Sequence, residues 1–347
     1  MKLFIDKLYK NHGLSREEFL LLLAKMSDKD VEYLFQKSSQ VKLEHYADTV
    51  YMRGLIEFTN YCKQNCAYCG IRADNKKAER YRLSIDEILD ICNMGYGLGF
   101  RTFVLQGGED DSYTDDKMTT LIKSIKRTFP DCAITLSIGE KSRDSYQKYF
   151  DAGADRYLLR HETASPLLYK KLHPNMSLEN RIRCLWDLKD IGFQVGAGFM
   201  IGLPGQTDND LVNDLLFLKE LKPHMVGIGP FIPHKDTPLG MEMGGTADKT
   251  LIMIALVRLL LPDVLLPSTT ALGTIDPNGR EKGLKAGANV VMPNLSPISV
   301  RSKYSLYDGK ICTDDEAIKC LKCIGQKIKN AGFSVDMSRG DHKDWRK

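Results

Sequence analysis

From about Met52 onward, short apolar runs alternate with amphipathic stretches. Apolar runs near residues 53–59, 101–106, 132–138, 156–161, 195–201, 224–229, 265–270 and 289–292 predict strands. Between them, Ser84 to Met94, Lys117 to Thr128, Ser177 to Ile191 and Asp208 to Leu221 carry apolar residues at helical spacing, and Ser84 with Glu87 forms a capping signature. Eight strands alternating with helices predict a complete (β/α)8 TIM-type barrel. Before Met52 no strand-like run stands, and Ser15 with Glu18 caps a helix entering Phe19-Leu20-Leu21-Leu22-Leu23. The expected organisation is an N-terminal helical lid over 1–50, the barrel over 51–300 and a short C-terminal extension over 301–347. Gly95-Tyr96-Gly97-Leu98-Gly99 precedes a strand, so it reads as a helix stop and not as a dinucleotide fingerprint, which follows one. Arg339 to Lys347, rich in both charge signs, reads as a solvated tail.

Strand alternation refines this pattern. In the fourth run Arg156, Leu158, Arg160 and Glu162 share one face. In the third, Thr135 and Ser137 share a face, and Ile134, Leu136 and Ile138 take the other. The apolar sets suit the outer helices, which leaves the polar sets pointing inward. Barrel interiors are usually filled with branched apolar residues. A polar, arginine-bearing interior therefore predicts a ligand chamber; the alternative is internally paired polar groups with no ligand.

Composition narrows the class. The chain has 347 residues, 43% hydrophobic and 27% charged, as in globular enzymes. A net charge of +4 makes no case for a nucleic-acid surface. The first residues lack the apolar core of a signal peptide, and Leu251 to Leu261, interrupted by Arg258, is too short to span a bilayer. A reducing cytoplasm with no membrane association is the expected setting. Of nine cysteines, Cys62, Cys66 and Cys69 form one group and Cys312, Cys320 and Cys323 another, a grouping that favours metal binding. Cys92, Cys132 and Cys184 lie on apolar patterns and read as buried spacers.

The first group follows the first predicted strand, at the end where barrel active sites lie. Three thiolates spaced C-x3-C-x2-C can hold three corners of an iron–sulfur cube and leave the fourth open. Zinc is the alternative, but it usually takes four ligands or three plus water, often with histidine, and no histidine is near. Tyr68, just before Cys69, sets an aromatic edge beside the open iron.

This motif resembles the signature of radical S-adenosylmethionine (SAM) enzymes. The resemblance implies a 4Fe-4S cluster on Cys62, Cys66 and Cys69, whose fourth iron is chelated by SAM. One electron then cleaves SAM to methionine and a 5′-deoxyadenosyl radical. Gln106-Gly107-Gly108-Glu109-Asp110 resembles the GGE element that receives the methionyl amino group, where glycines permit close backbone approach; an ordinary βα turn is the plainer reading. Glu162, in Leu159-Arg160-His161-Glu162-Thr163, resembles the acidic residue on the SAM ribose or amino group. Arg181 resembles the arginine that pairs with its carboxylate. Gly198-Phe199-Met200-Ile201-Gly202-Leu203-Pro204-Gly205 resembles the element beside adenine. By this resemblance Tyr68, Gly107, Gly108, Glu109, Arg160, Glu162, Arg181 and Met200 are cofactor-binding. His161 reads as a structural hydrogen-bonding residue, and His173 and His234 as loop residues, with a substrate role as the alternative.

Longer strings resemble the [FeFe]-hydrogenase maturase HydE family, relatives of biotin synthase. They are Tyr157-Leu158-Leu159-Arg160-His161-Glu162-Thr163, Gly202-Leu203-Pro204-Gly205-Gln206-Thr207, Gly227-Ile228-Gly229-Pro230-Phe231-Ile232-Pro233-His234 and Gly309-Lys310-Ile311-Cys312. The family resemblance implies a role in building the diiron subcluster of the hydrogenase H-cluster. It implies an organometallic substrate, a cysteine-bound iron carbonyl/cyanide complex supplied by HydG, with the product passing towards HydF. It also implies a low-potential electron donor of flavodoxin or ferredoxin type. Thr135, Arg156, Arg160, Thr269, Thr270 and Tyr304 are then expected to line the substrate chamber, arginine suiting an anionic complex. Cys312, Cys320 and Cys323 resemble an auxiliary 2Fe-2S or 4Fe-4S site of some members, with zinc or an empty site as alternatives. Competing functions are a methylornithine-synthase-like mutase, a biotin-synthase-like sulfur transferase and, in a different class, a non-catalytic iron–sulfur carrier. The sulfur transferase needs a second cluster inside the barrel, whereas the later triad lies beyond it. A carrier needs none of Glu162, Arg181 and the glycine elements.

Overall fold

The computed structural model describes residues 1–314 and 317–345. Its strands are β1 (Thr49–Met52), β2 (Gly54–Thr59), β3 (Thr102–Gly107), β4 (Ala133–Ser137), β5 (Arg156–Leu158), β6 (Gln194–Ile201), β7 (Met225–Pro230), β8 (Val290–Val291) and β9 (Ser334–Asp336). β2 to β7 form one parallel sheet in sequence order. Its register pairs Val104 with Thr135, Thr135 with Arg156 and Gly198 with Gly227. Parallel neighbours require crossovers, and helices Ile85–Gly97, Asp115–Thr128, Arg143–Ala152, Leu178–Ile191 and Asp208–Leu221 supply them. Ser84 and Glu87 form the expected capping box, and helix Ile85–Gly97 stops before Gly99, which takes φ +97°.

Beyond β7 the ladder continues through single parallel bridges, Met225 to Leu265, Pro267 to Val290 and Asn294 to Leu55. No full strand forms over 265–270. Thr269 instead caps helix Thr270–Ile275, its hydroxyl accepting from Leu272 N at 3.3 Å. β1 is a strand where none was expected. It is four residues long and owes its order to distant partners, β8 on one side and β9 on the other.

Helices Lys2–Asn11, Arg16–Lys25 and Asp28–Tyr46 occupy the N-terminal region, with capping boxes at Ser15/Glu18 and Ser27/Asp30. They do not form the expected lid. Asp28–Tyr46 packs on helix Ala247–Leu260 and Arg16–Lys25 on helix Asp208–Leu221, so their apolar faces are spent on outer helices. Cys92, Cys132 and Cys184 are fully buried, as spacers should be. Among the described residues no helix is long and apolar enough to cross a membrane.

The segment from Arg339 onward is not a solvated tail; its last two residues lie outside the described ones. Asp341 meets the buried Arg156 at 2.6 Å and Arg339 meets Asp155 at 3.2 Å. Arg53 donates to the Gly340 carbonyl at 3.1 Å, Thr102 to the Arg339 carbonyl at 2.9 Å, and the Trp345 indole to the Gly192 carbonyl at 2.8 Å. The segment thus closes the N-terminal ends of β3, β5 and β6. Its mixed charges look solvated in sequence because their partners lie far back in the chain.

Asp341→Ala should therefore strand the Arg156 charge and lower the unfolding free energy by about 2–3 kcal/mol, read as a lower urea midpoint. Arg156 holds the Asp341 carboxyl down, to about 2, against the opposing pull of burial. The contribution is complete above the unfolded carboxylate value of about 4 and fades as pH falls towards 2. Wild type and variant should converge there.

Candidate functional site

The C-terminal ends of the strands surround a cavity of about 390 Å³, within the range of small-molecule sites. Cys62, Cys66 and Cys69 line it, all in one irregular loop between β2 and helix Ile85–Gly97. No ladder holds this loop, so other elements grip its backbone. Ala67 N donates to the Leu172 carbonyl at 2.8 Å, Gly70 N to Leu306 at 2.9 Å and Lys63 N to Glu109 at 3.0 Å, and the Ala67 carbonyl accepts from Leu239 N at 3.2 Å. Inside the loop, the Arg80 guanidinium donates to four carbonyls, Asn60 (2.5 Å), Ile71 (2.8 Å), Arg72 (2.7 Å) and Asn75 (3.2 Å). Gly108 is in close backbone contact, since a Cβ there would strike the Tyr61 carbonyl and the Cys62 Cβ.

Burial pushes all three thiols up, Cys69 to about 12, and the negative charge of neighbouring thiolates adds to the shift at Cys66 and Cys69. Three adjacent thiolates therefore need positive charge among them, which iron supplies. The donor set fits a cluster on chemical grounds.

Of the expected cofactor residues, Tyr68, Gly107, Gly108, Glu109, Arg160, Glu162, Arg181 and Met200 all line this cavity. The Tyr68 hydroxyl lies 3.1 Å from His173 Nε2, and the His173 ring stacks on Tyr169 at 4.2 Å. His173 lies in a loop as expected, just past helix Pro166–Leu172, but it is buried; it is 1% exposed, and burial pushes it down to about 3, so it is neutral and able to accept from the phenol. His234 is also buried, at 6% exposure. Arg160 and Glu162 pair at 3.1 Å. Arg181 is held by Glu140 at 2.6 Å and donates to the Arg160 carbonyl. Glu109 accepts from Gln64 at 2.7 Å and Glu140 N at 3.0 Å, which engages both carboxylate oxygens within the protein.

The expected substrate residues divide. Arg160, Thr269, Thr270 and Tyr304 line the same cavity. Thr135 and Arg156 do not; they border a small separate space at the N-terminal strand ends with Arg53 and Gln194. The inward face was read correctly, but a strand's inward residues lie at different depths, and Arg156 is already spent on Asp341. Of the second triad, Cys312 and Cys320 are brought together, and their thiol–thiol hydrogen bond raises Cys320. Cys323, one helical turn on, is exposed.

Sequence reasoning missed several cavity residues. Glu57 is 1% exposed and bound by Lys310 at 2.6 Å and Asn294 at 2.8 Å. Its signal was an acidic residue on the inward face of an apolar strand. Arg280 and Lys310 reach the cavity from distant segments, and Glu140 acts from behind it through Arg181; Arg280 and Glu140 had no local signal, and Lys310 stood only within the family-like string 309–312.

A profile of the radical SAM superfamily matches residues 56–218. The [FeFe] hydrogenase maturase subunit HydE of Thermotoga maritima is 49% identical over 314 residues, covering 90% of this chain and 88% of that protein. The chain belongs to the HydE family of radical SAM enzymes. Membership in this family implies a 4Fe-4S cluster and SAM. A 3-methylornithine synthase of Methanosarcina acetivorans is 30% identical, covering 95% of this chain and 93% of that one. The crystal structure of methylornithine synthase (PylB) superposes with TM-score 0.83 at 25% identity, covering 96% and 97% of the two chains. The maturase HydG from Carboxydothermus hydrogenoformans superposes with TM-score 0.80 at 22% identity over 97% of this chain and 79% of that one, a likeness of fold.

The loop geometry makes a prediction about this HydE-family site. Arg80→Gln leaves loop carbonyls without donors, and Gly108→Ala pushes on the Tyr61 carbonyl and the Cys62 Cβ. Each variant should keep its far-ultraviolet circular dichroism but hold less than about half the wild-type iron and sulfide after anaerobic reconstitution, in line with the cost of unpaired buried groups. Full loading of both would show that the loop needs neither support.

Proposed function

We propose that this chain is a radical SAM enzyme of [FeFe]-hydrogenase maturation that processes a cysteine-bound iron carbonyl/cyanide precursor of the diiron subcluster. The observation that carries the reading is the 49% identity across 90% of the chain to a HydE, joined to three half-buried thiols that line one cavity with the Arg160–Glu162 pair. In this reading Cys62, Cys66 and Cys69 hold the 4Fe-4S cluster. Glu162, Arg181, Tyr68, Met200 and the Gly107-Gly108-Glu109 turn serve SAM. When bound, the cluster and SAM together supply a 5′-deoxyadenosyl radical.

The chain's own residues orient and shield. Tyr68, Met200, Leu203 and Phe231 pack into one apolar cluster on the cavity side, which keeps water from the reacting centre. Arg160, Thr269, Thr270 and Tyr304 offer a guanidinium and hydroxyl groups to an anionic complex. Lys310 on Glu57 and the half-buried segment 303–312 cover the other side.

Further parts of the reading follow. The three single bridges support a sheet closed into an eight-membered (β/α)8 ring over 51–300, flanked by 1–50 and 301–347. HydG and HydF are the proposed partners, with a flavodoxin- or ferredoxin-type donor, in a reducing cytoplasm that suits nine free thiols. The contact of Cys312 with Cys320 supports an auxiliary iron–sulfur or zinc site there, separate from the reaction.

The test is anaerobic reconstitution followed by SAM and dithionite. Wild type should release 5′-deoxyadenosine, Cys66→Ala should release none, and Cys320→Ala should retain most of the rate. An apo-hydrogenase matured with HydG and HydF should evolve hydrogen only when this enzyme is added. The second reading, a mutase, has the 30% identity to 3-methylornithine synthase in its favour. Formation of 3-methylornithine with no hydrogenase activation would favour it instead.

A further inference from the structure

Glu162 has an unusual backbone. It is one of five non-glycine residues with positive φ, at +64°, among those described. Three of the others, His12, Ala47 and Lys222, close helices, where such a conformation satisfies the last carbonyls. Glu162 closes none. Thr163 N donates to the His161 carbonyl at 2.8 Å, so Glu162 is the apex of a γ-turn with positive φ, a rare and strained conformation. β6 grips the apex, with Glu162 N on the Gly198 carbonyl at 3.0 Å and Met200 N on the Glu162 carbonyl at 3.1 Å.

Behind the turn stands a second pair that the proposed chemistry does not use. His161 and Asp214 are both 0% exposed, and Nε2 lies 3.3 Å from Oδ1. The same Oδ1 accepts from Ala164 N at 2.5 Å. That oxygen therefore holds Ala164 by a hydrogen bond and lies against the His161 ring, on either side of Glu162, although His161 Nε2 itself makes no hydrogen bond among the described residues. Gly198 N approaches His161 Nδ1 at 3.4 Å, which leaves the imidazole proton on Nε2, facing Asp214. Burial pushes the imidazole down to about 3, so it stays neutral, with Nδ1 free to accept from Gly198 N. Its ring is fixed between Phe199 and Phe217, with centroids at 5.9 and 4.9 Å. The second Asp214 oxygen has no hydrogen-bond partner. Burial pushes the Asp214 carboxyl well above the usual carboxylate range; a buried polar group without full hydrogen bonding is costly, and backbone strain such as that at Glu162 collects at ligand sites.

We propose that Asp214 and His161 are a positioning pair that clamps the γ-turn and holds the Glu162 side chain towards the cavity, so that Asp214 sets SAM affinity without touching SAM. The inference rests on the reading of Glu162 as a SAM ligand. Neither residue reaches the cavity lining, so any effect on SAM must pass through the turn.

The test measures SAM binding to reconstituted protein by equilibrium dialysis, and the change that SAM makes in the electron paramagnetic resonance of the reduced cluster. Asp214→Ala should raise the Kd for SAM roughly tenfold, the order expected for releasing one strained residue. Its KM should rise far more than its kcat falls, at unchanged iron content. Asp214→Asn, which keeps the bond to Ala164, should recover part of the affinity. In a Glu162→Gln background the Asp214 substitution should add almost nothing, because both act at one contact. An unchanged Kd in folded Asp214→Ala, or a fully additive penalty in the double variant, would overturn the proposal. Should the alanine variant fail to fold, the same cycle run with Asp214→Asn decides by the same criterion. If Glu162→Gln alone leaves SAM binding intact, the assignment of the cavity fails; if it weakens binding and Asp214 does not, only the clamp fails.

Discussion

The cysteine loop has no regular structure of its own, and its shape depends on the Arg80 guanidinium. The two terminal nitrogens of its rigid fork meet four carbonyls of one loop, a task lysine could not perform with its single, freely rotating ammonium. The contacts from Leu172, Leu239, Leu306 and Glu109 then fasten the gathered loop to four separate parts of the chain. The position of three thiols is thus a property of the whole fold and not of the C-x3-C-x2-C string.

Charge inside the molecule is divided by depth. At the N-terminal strand ends, Arg53 and Arg156 are met by the returning C-terminal segment. At the C-terminal ends, Arg160, Arg181 and Lys310 are met by Glu162, Glu140 and Glu57. Each buried cation has a designated acceptor, as burial demands. Arg280 differs: it donates to the Thr270 hydroxyl at 3.1 Å and lies 3.8 Å from the Cys312 sulfur, spanning the cavity wall and the second cysteine group.

Several histidines in the molecule serve as neutral hydrogen-bonding groups. His161 and His173 are both pushed by burial far below the range in which they could carry protons at working pH, and each sits behind a residue that lines the cavity, Glu162 and Tyr68. They shape the site from outside it.

Much of this was legible in the chain. Apolar runs of strand length, capped helices and a parallel α/β order follow from local periodicity, because side-chain direction repeats every two residues in a strand and every 3.6 in a helix. The cysteine spacing and the glycines of Gly107-Gly108 announce their chemistry because both act within a few residues of themselves. What the chain could not reveal depends on partners far away in sequence. β1 exists only beside β8 and β9; the charged C-terminal segment is buried only because Arg156 and Asp155 wait for it. Inward alternation placed Thr135 and Arg156 on the right face but could not give their depth, since period two fixes a side and not a height. Glu57, Lys310, Arg280 and Asp214 join the site or its support through contacts that span dozens to hundreds of residues. Local rules determined the elements and the cysteine spacing; the tertiary structure alone decided which charges meet, because a buried charge is assigned by its partner and not by its neighbours in the chain.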